Sequence, residues 1–287
     1  MLFLIDTYSL LYRLFFALPD LTFNGIHINA IYGLCRLTVK LTKEYKVENL
    51  IFCVDKGKSG RSDILKTYKA HRKPTSDKFK QQIPIFYEFV KAAGFYAYGI
   101  EGLEADDTIF TLAKYFKKQG YGKQIFILTG DKDMLQVLSD KVLILLIRKG
   151  ITDVEVFDEE SFNREYGFSS KFFIYYKALV GDPSDNIKGV KGIGPKKAIQ
   201  IIKNVDSNNI KDGILKFLSP EDINIFLNNL ELISLKDYSE KIEIDLDLEK
   251  TRVNQGWYRN ESFKNFLRKY NFVSILKEIE DKQLRLF

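Results

Sequence analysis

The sequence predicts an α/β fold with a mainly parallel central sheet and flanking helices, followed by a second, helical domain. Three observations carry this expectation. Short apolar runs alternate with longer amphipathic stretches, the βαβ alternation that builds parallel sheets. After about residue 168 the strand-like runs largely vanish and helical periodicity takes over. Asp6, Asp55 and Asp131 each fall just past a predicted strand end, and open α/β sheets collect their chemistry beyond the carboxyl ends of their strands.

Taken in order, "LFLI" (2–5), "NLIFCV" (49–54), "FYAYG" (95–99), "QIFIL" (124–128) and "KVLILLI" (141–147) read as strands. Helical stretches lie between and after them, at 29–46, 80–93, 104–119 and 132–138. In the second half "KFFIYYKAL", "PKKAIQIIKNV", "DGILKFL", "EDINIFLNNLELISL" and "SFKNFLRKYNF" read as helices. "KIEIDLDLE" (241–249) alternates and reads as a lone strand or an extended connector. The expected division is an α/β core over 1–168, with a basic arch over about 56–84, and a helical domain over 169–287 with a hairpin at 189–198. Residues 203–287 carry no functional motif.

Composition narrows the function classes. With 287 residues, 45% of them hydrophobic, the chain can bury a sizeable core, and disorder is not expected. The net charge of +6 leans towards an acidic partner, and its distribution says more than its size. Nine Lys or Arg lie between Lys56 and Lys80, opposed only by Asp63 and Asp77. Two cysteines without CxxC spacing and two histidines exclude a disulfide scaffold and a zinc site. Asp6 and Arg13 interrupt the apolar N-terminus, and no basic segment precedes it, so it reads as strand and helix and not as a signal peptide. No uncharged run reaches the roughly 20 residues needed to span a bilayer. The expectation is a cytoplasmic protein, with nothing that demands a dimer.

The acidic motifs are the sharpest signal. "EGLEADDT" supplies Glu104, Asp106 and Asp107; "LTGDKDM" supplies Asp131 and Asp133; "GDPSDN" supplies Asp182 and Asp185. Singly, each acid has an ordinary structural reading: a helix start favoured by the dipole, an N-cap, or a turn former. With Asp6 and Asp55 they make nine carboxylates that would repel strongly in one cleft unless cations neutralised them. Oxygen ligands without His or Cys favour magnesium or manganese. A pair of such ions, roughly 3.5–4 Å apart, can orient water and stabilise the leaving oxygen of a phosphodiester.

"GVKGIGPKKA" (189–198) is the second signal. Its glycines let backbone approach a phosphate, Pro195 suits a first helical position, and the amides of the following helix can point at an anion. With Lys191, Lys196 and Lys197 around Gly189, Gly192, Ile193 and Gly194, it resembles the hairpin of helix-hairpin-helix DNA binders. The third signal is the basic span 56–80. A charge run is ordinarily a solvated face; here it follows Asp55 directly and should overhang the acidic cleft, as phosphate contacts would. Tyr68 beside Lys69 offers a ring for base stacking.

Together these motifs resemble the flap endonuclease-like 5′-nuclease family, whose members include the N-terminal 5′→3′ exonuclease domain of bacterial DNA polymerase I and phage 5′ exonucleases. The resemblance runs from "LIDTYSLLYR" through "VDKGKSGRSDILKTYKAHRKPT", "EGLEADDT" and "LTGDKDMLQVLSD" to "ALVGDPSDNIKGVKGIGPKKA". It implies a PIN-like nuclease core and two divalent ions, magnesium or manganese. Asp6, Asp55, Glu104 and Asp106 would serve the first ion, with Asp107 beside them. Asp131, Asp133 and Asp185 would serve the second, with Asp182 nearby. It implies a catalytic set of Lys69 at the arch base, Tyr68, Arg72 and Arg13. Arg61, Lys73 and the hairpin residues would grip DNA, with a potassium ion at the hairpin. The implied substrates are DNA with a 5′ flap, nick or free 5′ end and RNA–DNA primer junctions, beside a separate DNA polymerase. The chain stops where polymerase I relatives continue, which reads as a stand-alone nuclease or as a fragment of a longer protein. Two other classes are weighed. A non-catalytic junction binder would bind without cutting. A PIN-like ribonuclease would prefer structured RNA and would usually lack the hairpin and the arch.

Overall fold

The computed structural model describes residues 1–287 except 58–59, 71–73, 150–152, 243–245, 247 and 281–287. Six strands form the central sheet: β1 (Leu2–Asp6), β2 (Asn49–Cys53), β3 (Tyr96–Tyr98), β4 (Ile125–Thr129), β5 (Val142–Lys149) and β6 (Asp153–Phe157). Their order is β3-β2-β1-β4-β5-β6, parallel throughout except for β6, which pairs antiparallel with β5. The expected strands are present within a residue or two at each end. β6 was not anticipated; it returns beside β5 across a short connection and closes one edge.

The chain winds outward from β1 through β2 to β3, then crosses back to lay β4 on the other side of β1. The order therefore reverses between β1 and β4, the place where an open α/β sheet leaves a crevice at its carboxyl edge. Both faces of the sheet are covered, so its central strands read as unbroken apolar runs. Side chains alternate between the two faces. Leu2, Leu4, Ile51 and Ile127 pack with Ile109, Leu112 and Phe116 of the helix Ala105–Lys118, and that cluster continues into Ala178, Val190, Ile193 and Ala198. Phe3, Ile5, Phe52 and Leu128 face the other way, onto Leu10, Leu34, Phe86 and Phe89.

The helix Asn29–Glu44 lacks a side-chain cap from Ile28. Its first amides are satisfied from elsewhere: Gln82 Oε1 accepts from the N–H of Ala30 (2.9 Å) and Ile31 (3.3 Å). Phe79 and Gln82 are buried, and the helix Gln82–Ala93 packs on the core. Within the carboxyl end of the expected arch, Phe79 and Gln82 are thus anchored in the core while Lys80, Gln81 and Pro84 are exposed.

The helical region holds the helices Phe173–Val180, Pro195–Asn204, Ile210–Leu215 and Pro220–Ile233 on the first face. The chain then passes to the second face. Val253 N–H donates to Glu48 O (2.8 Å), and the Trp257 ring lies 4.6 Å from Phe95 and 4.7 Å from Phe263 between centroids. The helices Glu261–Lys269 and Val273–Glu280 belong to the same apolar cluster as β1 and β2. Packing therefore crosses the expected boundary at 168/169. Residues 243–245 and 247 of the alternating stretch 241–249 lie outside the described residues, and its ends sit in 3-10 turns.

Candidate functional site

Asp6 ends β1, and Asp55 and Asp131 each lie two residues beyond β2 and β4, so parallel pairing brings all three to one edge. Asp6 is buried, and its Oδ2 accepts from Thr129 Oγ1 at 2.7 Å. Burial pushes its pKa up to about 7, aided by the neighbouring charges of Asp131, Asp55 and Asp106. Asp55 accepts from Ala105 N–H at 2.7 Å, at the start of the helix that carries Asp106 and Asp107. Its pKa is raised too, by burial and then by Glu104 and Asp106.

Asp131 caps the 3-10 turn Lys132–Val137, accepting from Asp133 N–H at 2.8 Å, and burial raises its pKa. Asp133 is pushed up to about 8 by burial and by Asp131. Asp133, Asp182 and Asp185 each offer an oxygen within 4.8 Å of the others. Carboxylates from five separate segments thus meet at the switch-point crevice. Arg61, Tyr68, Lys69, Asp106, Asp131, Asp133 and Asp185 line one cleft there. The donors are all hard oxygens, and Asp6 and Asp55 are held against their preference for charge. Both features suit divalent ions such as magnesium or manganese.

Three cations sit among these acids. Lys69 Nζ donates to Glu104 Oε2 (2.8 Å), and Lys177 Nζ lies 2.6 Å from both Asp133 Oδ1 and Asp182 Oδ2. Arg61 Nη2 donates to Asp107 Oδ1 (2.9 Å), while its Nη1 lies 3.4 Å from Glu104 and 3.6 Å from Asp106. Its Nε donates to the Leu232 carbonyl (2.9 Å). Two of the expected site residues are thus paired within the protein. Arg61 is 7% exposed and does not reach outward to a strand; it ties the arch base to the helical region. Asp107 is 1% exposed and turned under the site, where Arg61 and the Lys236 N–H (3.2 Å) occupy one of its oxygens. Burial, Asp106 and then Arg61, which opposes them, leave its pKa at about 6.

Lys69 sits at the cleft with φ +53°, a left-handed backbone unusual for a lysine. Its N–H donates to Asp185 O (3.1 Å), Tyr68 Oη donates to Asp185 Oδ2 (3.1 Å), and Asn186 Nδ2 donates to Thr67 O (3.0 Å). Tyr68 therefore has its hydroxyl on Asp185, and its ring lies 4.9 Å from Lys69 Nζ. Arg13 runs along Gly130 and donates from Nη2 to the Arg148 carbonyl, with its Nε buried and unpartnered. Arg72 and Lys73 lie outside the described residues.

The hairpin is a tight turn in which Ile193 N–H donates to Val190 O (3.1 Å), with Gly192 at φ +73°. Gly194 precedes the helix Pro195–Asn204, with Pro195 at its first position. Lys191, Lys196 and Lys197 are exposed. Ile193 is buried, and its side chain anchors the turn. Gly189 has a packing role: a Cβ there would lie 2.2 Å from the Val180 carbonyl oxygen.

Lys177 was missed in the sequence, where it read as one residue of an apolar helix. The available signal was a lone charge in "FIYYKALV", five residues before Asp182. Thr129 was missed as well, being an unremarkable strand residue until the register sets it beside Asp6.

Comparison with known proteins bears on this geometry. Residues 1–167 match the family model described as "5'-3' exonuclease, N-terminal resolvase-like domain", and residues 168–255 match "5'-3' exonuclease, C-terminal SAM fold". A 5'-3' exonuclease of Aquifex aeolicus is 35% identical, over 97% of this chain and 95% of that protein. DNA polymerase I of Bacillus subtilis is 37% identical over 84% of this chain but only 26% of its own length, so the chain spans about a quarter of that relative. A structure of the bacteriophage T5 D15 flap endonuclease, in a complex with DNA and metal ions, superposes with a TM-score of 0.65. That match covers 96% of this chain and 99% of the other at 22% identity, a likeness of fold. No described helix is long and apolar enough to cross a membrane.

Proposed function

The chain belongs to the 5'-3' exonuclease family, and from that membership and the converged carboxylates we propose that it hydrolyses DNA phosphodiesters at free 5′ ends and 5′ flaps. The observation that carries the reading is the gathering of acids at the switch-point crevice: Asp106, Asp131, Asp133 and Asp185 line the cleft with Lys69, Asp182 clusters with two of them, and Asp6 feels the charges of Asp131, Asp55 and Asp106. Asp6, Asp55, Glu104 and Asp106 would hold one divalent ion, magnesium or manganese; Asp131, Asp133 and Asp185 would hold a second, with Asp182 beside it. When bound, such ions supply Lewis acidity that lowers the pKa of the attacking water and stabilises charge on the leaving oxygen.

The chain's own residues orient the substrate. Lys69, freed from Glu104, would donate to the scissile phosphate as charge develops there. Lys191, Lys196 and Lys197 surround exposed hairpin backbone and suit phosphates of a downstream duplex, read by shape and not by base edges. A potassium ion at that hairpin, RNA-primed ends as further substrates, and work beside a separate polymerase in replication and repair complete the reading.

The test is a panel of end-labelled flap, nicked and single-stranded DNAs, each with and without Mg2+. Metal-dependent release of 5′ products from flap and nicked duplexes is expected. Binding without cutting in both Mg2+ and Mn2+ would sink the proposal in favour of a junction binder. Lys69→Ala should slow turnover far more than it weakens duplex binding, and the reverse pattern would remove its catalytic assignment.

A further inference from the structure

The helix Phe173–Val180 carries one charged residue, Lys177. Its side chain is only 15% exposed, and its ammonium lies 2.6 Å from Asp133 Oδ1 and 2.6 Å from Asp182 Oδ2. Those two acids, with Asp185, are the three whose oxygens cluster within 4.8 Å. The ammonium therefore holds one oxygen of Asp133, assigned above to a second divalent ion, and one of Asp182 beside it. Its positive charge beside those oxygens opposes a second cation there, because like charges a few ångströms apart repel.

The two acids are not equally free to be given up. Asp182 is also fixed by Ser184, whose N–H and Oγ donate to its other oxygen at 2.8 and 2.6 Å. Asp133 has the ammonium and a side-chain bond to Asp182, and no bond to that turn's Ser184. Releasing Lys177 from Asp133 thus opens an ion position without dismantling the turn that carries Asp182 and Asp185. Lysine suits that exchange: its charge is a point at the end of a flexible four-carbon stem, and it can leave one partner while keeping another.

We propose that Lys177 sets the occupancy of the second ion position, holding Asp133 and Asp182 together in the absence of metal and competing with a divalent cation for them. The chain then takes its first ion readily and its second only at higher concentration. The inference rests on the two-ion reading above.

The test uses Mn2+ alone, without DNA, titrated into the full chain while free Mn2+ is read by electron paramagnetic resonance. Wild type should show a tight and a weak class of bound ion. A neighbouring unit charge within a few ångströms moves the affinity of a carboxylate for a proton by roughly 1–3 powers of ten, and a cation is bound by the same field. Lys177→Met should therefore tighten the weak class by about tenfold or more, while Lys177→Arg leaves it near wild type. Lys177→Gln serves in place of methionine if Lys177→Met does not fold, as judged by circular dichroism. A weak class that is unmoved or weakened once the charge is removed overturns the inference and leaves the two-ion reading standing. A second ion found in neither wild type nor variants removes the two-ion reading itself, and the inference with it.

Discussion

Replacing Arg61 with methionine isolates the tie between the arch base and the helical region. Methionine fills much of the stem volume and removes the charge and the donors. Two losses follow. The Leu232 carbonyl loses its guanidinium donor, worth about 1 kcal/mol. Asp107, 1% exposed, keeps the Lys236 N–H and loses its cation. Breaking a buried ion pair can cost about 3–5 kcal/mol, but here proton uptake limits the loss. Asp107 already has its pKa pushed from 3.8 to about 6. At pH 7, one unit above that value, taking up a proton adds at most about 1.4 kcal/mol.

The sign follows from linkage. The folded pKa of Asp107 lies above its unfolded value, so its protonation favours the folded state, and that contribution is lost as pH rises through about 6. Without Arg61 the folded pKa climbs further, and the loss continues to higher pH. Arg61→Met should thus cost about 1 kcal/mol at pH 5, where Asp107 is protonated in either protein. The cost should reach about 2–3 kcal/mol at pH 7 and rise by about 1.4 kcal/mol more by pH 8. Urea unfolding followed by circular dichroism in EDTA at the three pH values measures it. A deficit equal at pH 5 and pH 8 would refute the pairing with Asp107, and one below about 0.5 kcal/mol throughout would mark Arg61 as an ordinary surface residue.

Asp131→Asn should reduce Mg2+-dependent cleavage by about 10²–10³-fold while leaving gel-shift binding of a flap duplex in EDTA close to wild type; retained cleavage would remove Asp131 from the ion-holding set. Gly181→Ala should destabilise by about 3 kcal/mol or more, read by thermal melting, because the added Cβ would lie 2.3 Å from Gly189 N at φ +81°. In EDTA the melting temperature should fall between pH 6 and pH 9. Asp6 and Asp133 have folded pKa values raised to about 7 and about 8, and the stability held by their protonated forms is lost as pH rises through those values. Saturating Mg2+ should flatten that fall, and a melting temperature that rises with pH in EDTA would contradict the burial of these acids.

What the sequence made legible was the part set by short-range pattern and by sheet geometry. Parallel strands must end on one edge, so aspartates just beyond β1, β2 and β4 had to gather once the alternation was read. The remainder depended on which side chain crosses to which element. Arg61 and Lys69 sit in the same basic span and both reach Glu104, yet only Arg61 is buried, tied to Asp107 and Leu232. Periodicity cannot distinguish them. Gly189 read as a phosphate-approach glycine because its need for bare backbone was right while its neighbour, the Val180 carbonyl, was invisible. The helix Glu261–Lys269 read correctly as a helix while Val273–Glu280 was not anticipated, and amphipathicity tells only that a face is covered and not which sheet face covers it.

Three hydrogen bonds join the 67–69 segment to Asp185 and Asn186, and two of them involve main-chain atoms at both ends or at one. An ammonium and a carboxylate carried on unconnected loops would each wander on their own, and their separation would blur by the combined amplitude. Stitched in this way, they drift as a common mode: thermal excursions carry both along, and the spacing between them stays sharp while the absolute position of either does not.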